Sequence, residues 1–329
     1  MLKFSRGIAR GVTLALAMVC LIVPGTLAQS QAAALRQGRA SDPYWISVNV
    51  DLVVLHPTVR DRKNRFVADL REQDFEVYED GVRQPIRLFR HEDIPITVGL
   101  VVDHSGSMQP KLSEVIAGAR AFAQSSNPND QMFVVNFNEK VTLGLPGDIP
   151  FTHSPVELER AILKAPATGE TALYDAIVKA LERLQQGARD KKVLVVISDG
   201  ADNTSVHNLA QVLQTAAHSS AIIYTVGLFA TDDRDANPRV LSHLTQATGG
   251  QAFVPEKLDE VVAVCERIAR DIRSQYTIGY VSTNPKRDGL YRAIRVAAQT
   301  PGHGKLSVRI RPGYIAGTES RRVPDEAAK

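Results

Sequence analysis

The chain has 329 residues, of which 44% are hydrophobic, 23% charged and 6% aromatic, with a formal net charge of +3. It is long enough for two cores, too polar for a polytopic membrane protein and too apolar for wholesale disorder. Its two cysteines, Cys20 and Cys265, exclude a disulfide-dense scaffold and a cysteine-based zinc site.

Residues 1–28 read as a secretory signal. Lys3, Arg6 and Arg10 precede an apolar run from Val12 to Val23, and small residues follow up to Ala28. The run is too short to span a bilayer comfortably; an uncleaved amino-terminal anchor is the alternative. These three bases account for the whole net charge, so the remainder is neutral and a nucleic-acid partner is not indicated. After cleavage no transmembrane segment is expected, and the protein would be periplasmic or secreted. Residues 29–43 read as a polar, Ala-rich linker.

Residues 44–93 alternate with period two. Ile46, Val48, Val50, Leu52 and Val54 predict a strand with one buried face, and Glu79-Asp80-Gly81 between alternating runs predicts a hairpin. From Pro95 the pattern becomes strand–helix–strand. Apolar runs at Ile96–Val102, Met132–Val135, Val193–Ile197 and Ala221–Val226 predict strands covered on both faces. Helical spacing is seen from Pro110 to Phe122, from Leu173 to Leu184 and from Leu258 to Ile272, with Cys265 on the apolar face of the last. Asp202-Asn203-Thr204 reads as the cap of a helix starting near Val206. Residues 275–315 return to period two in three strands, and 316–329 form a polar tail. Three strands are too few for an independent sandwich, so they are expected to pair with the amino-terminal strands. The predicted architecture is α/β: a doubly wound, mostly parallel sheet over residues 94–274, with an additional antiparallel β domain from the flanks.

In an open α/β sheet, ligands bind beyond the carboxyl ends of the strands. One strand here ends in Asp103-His104-Ser105-Gly106-Ser107-Met108 and a later one in Ser198-Asp199-Gly200. Between them Ala167-Thr168-Gly169-Glu170-Thr171 opens a helix. Two carboxylates and several hydroxyls are hard oxygen donors, suited to Mg²⁺, Mn²⁺ or Ca²⁺ rather than zinc or copper. Two acids balance a dication, and neutral hydroxyls leave it able to take one more anionic ligand.

The order Asp103-x-Ser105-x-Ser107, Thr171, Asp199 resembles the metal-ion-dependent adhesion site of von Willebrand factor type A domains. The flanks, Asp74–Gly81 and Tyr276–Tyr280, resemble a family of bacterial exported proteins related to these domains. The resemblance implies that Ser105, Ser107 and Thr171 offer hydroxyls to Mg²⁺, with Asp103 and Asp199 binding directly or through water. The partner it implies is a protein offering an Asp or Glu carboxylate. Glu170 departs from the pattern, since such domains often carry Gly there; an extra acid would raise ion affinity or occupy the partner's position. His104, Glu170, Asp175 and Asp202 are candidates for the surroundings of the ion rather than for its ligands. Catalysis is not expected, because the chain has neither a G-x-S-x-G elbow nor a phosphate-binding G-x-x-x-x-G-K-[ST] loop. The rival enzyme reading is a Mg²⁺-dependent phosphohydrolase with Asp103 as nucleophile, but position 105, where a second Asp would be wanted, is Ser. A structural scaffold with a vestigial metal site is the third reading.

Overall fold

In the computed structural model, which describes residues 52–229 and 236–317, the amino-terminal flank forms five short strands. These are β1 (Leu52–Leu55), β2 (Thr58–Arg60), β3 (Phe75–Glu79), β4 (Val82–Gln84) and β5 (Ile86–Arg90). The expected signal and linker, the first part of the predicted strand from Ile46, and the tail beyond Gly317 lie outside the described residues. The hairpin between β3 and β4 forms at Asp80 and Gly81, both with positive φ (49° and 83°), as an Asp-Gly turn demands. Pro85 then lacks the amide that would extend the ladder, and β5 pairs with another sheet.

The central unit continues with β6 (Thr97–Asp103), α1 (Leu112–Ser125), β7 (Gln131–Phe137), β8 (Val141–Leu143), α2 (Pro155–Ile162) and α3 (Leu173–Gln185). It is completed by β9 (Lys192–Ser198), α4 (Leu209–His218), β10 (Ile222–Gly227), α5 (Pro238–Thr248), β11 (Ala252–Phe253) and α6 (Val261–Arg273). The six strands lie in the order β11-β10-β9-β6-β7-β8, parallel except for β8 at one edge. All seven residues of β6 are buried, because helices cover both faces. α1 packs with α2 and α6 in one layer, and α3 with α4 and α5 in the other. Order reverses on either side of β6: the chain goes first to β7 and later returns to β9. The crevice at that reversal holds the candidate site.

The carboxyl-terminal flank forms four strands where three were expected: β12 (Thr277–Val281), β13 (Tyr291–Ala298), β14 (Ser307–Arg309) and β15 (Gly313–Ile315). Arg311-Pro312 separates the last two. Three of these strands pair with the amino-terminal ones. β12 lies between β1 and β5, β13 between β15 and β3, and β14 beside β2, all antiparallel. A second hydrophobic cluster, including Phe75, Val77, Tyr276, Ile278 and Tyr280, fills the space between these sheets. Inside it, Glu79 is buried and accepts hydrogen bonds from the Tyr280, Tyr314 and Ser282 hydroxyls.

Two helix starts differ from the sequence reading. Residues Gly106–Lys111 form a 3₁₀ turn containing Pro110, and α1 begins only at Leu112. The helix placed near Val206 begins at Leu209, capped by Asn208, whose side chain accepts from the Gln211 amide at 3.0 Å while Gln211 returns the bond at 2.9 Å. Asp202-Asn203-Thr204 is therefore not its cap. Cys265 packs in the core, and burial pushes its thiol up to about 12. Among the described residues no helix is long and apolar enough to cross a membrane.

Candidate metal centre

Four loops meet beyond the carboxyl ends of β6, β7 and β9. Backbone bonds interlock three of them: the Gly106 amide donates to Gly169 O at 3.0 Å, Thr168 to His104 O at 2.8 Å, and Ala172 to Asn138 O at 2.8 Å. The Asn138 side chain adds a bond to Thr168 O at 3.1 Å. Gly169 sits at φ 82°, a left-handed conformation that favours glycine over any residue with a Cβ.

Within this frame Asp103 is fully buried at the end of β6. Its Oδ1 accepts from the Ser105 amide at 2.8 Å and its Oδ2 from the Ser198 hydroxyl at 2.6 Å. Ser107 Oγ donates to Asp199 Oδ2 at 2.5 Å and lies 3.2 Å from Ser105 Oγ. Asp199, also fully buried, accepts from the Ala201 amide through its other oxygen at 3.1 Å. Thr171 is buried on the facing loop, and its amide donates to Asn203 Oδ1 at 2.8 Å while its carbonyl accepts from the Asn203 amide. The structure thus joins Ser105, Ser107 and Asp199 through their side chains. Asp103 joins them through the Ser105 amide, and Thr171 belongs to the loop that closes over Gly106.

Burial raises the Asp103 carboxyl to about 6 against the pull of its hydrogen bonds from Ser198 and Ser105, and the nearby Asp199 pushes it the same way as burial. Among the described residues neither Asp103 nor Asp199 has an ion-pair partner. Two acids buried without a cation form an electrostatic deficit that a dication would fill. The all-oxygen donor set fits Mg²⁺, Mn²⁺ or Ca²⁺ on the same grounds. Among the described residues there is no group of three or more His, Cys, Asp or Glu side chains that could hold a metal. The candidate set differs in kind, with two carboxylates and three hydroxyls.

The surrounding candidates divide by what they touch. His104 is buried, its Nε2 3.1 Å from Asn136 Oδ1, and burial lowers its pKa. Asn136 in turn donates to Ala161 O, so the imidazole is pinned toward β7. Glu170 is exposed. Asp175, in the first turn of α3, accepts from the Val206 and His207 amides and from the His207 ring at 2.6 Å. Asp202 accepts from the Tyr174 amide and the Ser205 hydroxyl. Asp175 and Asp202 therefore hold loop 202–207 against the start of α3. Sequence reasoning passed over Ser198, whose signal was a hydroxyl ending the apolar run Val193–Ile197, and Asn203, read only as a helix cap.

Residues 98–202 match the family model for the von Willebrand factor type A domain. No curated protein matches the chain. Solved structures of similar shape include a von Willebrand factor type A protein from Catenulispora acidiphila, 12% identical, covering 84% of this chain and 76% of that one with a TM-score of 0.49. A conserved hypothetical protein, BatB, from Bacteroides thetaiotaomicron is 15% identical over 54% of this chain and 100% of its own, with a TM-score of 0.43. The von Willebrand factor domain of the type V pili tip protein Mfa5 from Porphyromonas gingivalis is 13% identical over 55% and 95%, with a TM-score of 0.46. With its parallel sheet reversing order at β6 and its matched segment running from Val98 to Asp202, the central unit of this chain has the von Willebrand factor type A fold.

Proposed function

We propose that this is an exported recognition protein that holds Mg²⁺, or Mn²⁺ or Ca²⁺, on Asp103, Ser105, Ser107, Thr171 and Asp199 and captures an Asp or Glu side chain of a protein partner. The observation that carries the reading is the pair of buried acids, Asp103 and Asp199, set among hydroxyls with no cation beside them among the described residues. When bound, the ion supplies positive charge and an exchangeable coordination position. The chain's own residues orient the donors. Ser198 and the Ser105 amide fix the Asp103 carboxylate, Asn203 fixes the Thr171 loop, and Gly169 lets that loop close over Gly106. Without the ion, a partner's carboxylate would face two acids and be repelled.

Binding is favoured over phosphohydrolysis by the state of the one candidate nucleophile. Both oxygens of Asp103 are already engaged, and it is fully buried. Titration calorimetry with Mg²⁺ and Mn²⁺ tests the proposal. One site is expected, lost in Asp103→Ala, because removing a carboxylate leaves mostly neutral donors for a hard dication. Equal affinity in that variant would refute the assignment.

A further inference from the structure

At the opposite end of the central sheet from Asp103 lies a groove of about 1070 Å³. It runs between the amino ends of β6, β9 and β10 and the outer face of the β1-β12-β5 sheet. β9 runs from Lys192 at the groove to Ser198 at the candidate metal centre, a separation of about 20 Å at the usual strand rise. The two places are physically distinct.

Two properties of this groove converge. Its charge is one-sided: six Lys and Arg side chains line it, among them Arg90, Arg189, Lys192, Lys286 and Arg311, against one acid, Asp190. Arg311 is half-buried and uses its guanidinium on backbone carbonyls, Gly313 O at 2.7 Å and Ala217 O at 3.0 Å, and among the described residues no acid pairs with it. Arg189 donates to Asn129 O, and among the described residues its buried Nε has no partner. Among the described residues Arg90 pairs with an exposed Glu92 at 3.7 Å. His56, also lining the groove, is pushed down to about 3, first by burial and then by the nearby charges of Lys191 and Arg311. The wall is aliphatic. Leu52 and Leu88 flank Gly279 on the sheet face turned away from the β core, with Val54 beside them, and Leu52 is 43% exposed.

We propose that this groove binds an extended, acidic peptide segment of a partner protein. Its carboxylates meet Arg90, Arg189, Lys286 and Arg311, and its alternate aliphatic side chains lie on Leu52, Val54 and Leu88. A nucleic acid or glycan fits less well, because Tyr314 is the sole Phe, Tyr or Trp among the lining residues and its hydroxyl is committed to Glu79.

Fluorescence polarisation of a labelled, end-capped (Glu-Val)₄ peptide with the purified chain tests this. Saturable binding is expected, weakened about tenfold or more in the double variant Arg90→Glu/Lys286→Glu and by raising salt. Leu52→Asp, at an exposed position, should weaken it independently, with circular dichroism verifying that each variant is folded. The titration is run in EDTA, which empties the metal centre proposed to capture carboxylates, so the binding read is that of the groove alone and the two sites are separable. Absence of saturable binding in EDTA, or indifference to charge reversal, would overturn the proposal. So would equal affinity for (Glu)₈ or for a heparin fragment, since either would reveal a surface that attracts any polyanion.

Discussion

Asp103 is oriented before any ligand arrives, because the Ser105 amide and the Ser198 hydroxyl each hold one of its oxygens. Ser198 has a second task, accepting from the Gly200 amide at 2.9 Å, and so shapes the turn that carries Asp199. Ser198→Ala should therefore cost about 1–3 kcal/mol of stability by leaving buried polar groups unpaired. It should also weaken metal binding by about tenfold; urea unfolding and calorimetry on the same sample measure both. A different residue, Lys191, gives a pH signature away from this site. Its amine is buried, donating to Ile272 O at 2.5 Å, and burial lowers its pKa to about 7, with Asp271, Asp93 and Asp130 opposing. Between its unfolded value of 10.5 and about 7, the unfolded chain binds a proton that the folded chain does not. The Lys191 contribution to stability therefore rises with pH across this window and is flat below it. Lys191→Met removes that slope, so the variant's stability relative to the parent should fall by about 2–3 kcal/mol between pH 7 and pH 9.5. A difference that stays constant in urea unfolding at the two pH values would contradict the depressed pKa.

At the scale of elements, α6 ties the two hydrophobic clusters together. Asp271 near its end is fully buried and pairs with Arg60 of β2 at 3.2 Å and with Arg309 of β14. Both arginines come from the flanking sheets, so the helix is anchored by charge as well as by its apolar stripe. Asp271→Asn should destabilise the protein by about 3–5 kcal/mol, because two partly buried guanidinium groups lose their counter-ion. The loss should appear in thermal unfolding, while Mg²⁺ affinity stays within about twofold, since nothing in the pair touches the metal loops.

Which elements could be read from sequence follows from the same physics. The buried strands β6, β7, β9 and β10 announced themselves as apolar runs, and α1, α3 and α6 as long stripes. α2 and α5 escaped: each begins with Pro at its first turn, but spans only 8 and 11 residues with few apolar positions to establish a period. The pairs and turns were legible where a local residue decides them, as at Asp80-Gly81. The roles of Asp175 and Asp202 were not, because they depend on a loop folding back 30 residues later. In the candidate site, the five-residue constellation stood out by order alone. Ser198, Asn203 and Gly169 contribute through contacts that no spacing reveals.

At the scale of the molecule, the flanks are completed by each other. β1, β5, β3 and β2 all take partners from the last four strands. Deleting residues from 276 onward should leave these strands as bare edges and expose the Phe75–Val77 side of the second cluster. Size-exclusion chromatography with light scattering should find aggregate instead of monomer, whereas a monodisperse truncated chain would show that the flanks are independent of one another.

This arrangement also imposes an order of events in time. The central sheet joins segments that all lie within a hundred positions of their partners, and its helices can dock as they emerge. The Glu79 carboxylate, by contrast, waits for hydroxyls roughly two hundred positions away, from Tyr280, Ser282 and Tyr314. Contacts of such sequence separation form slowly, because loop closure comes before any reward. The first strands to be made are thus among the last to find their places, and until then β3 carries a carboxylate that belongs in water. That charge discourages its bare edge from pairing with another molecule, and is withdrawn from solvent only when the correct strands arrive.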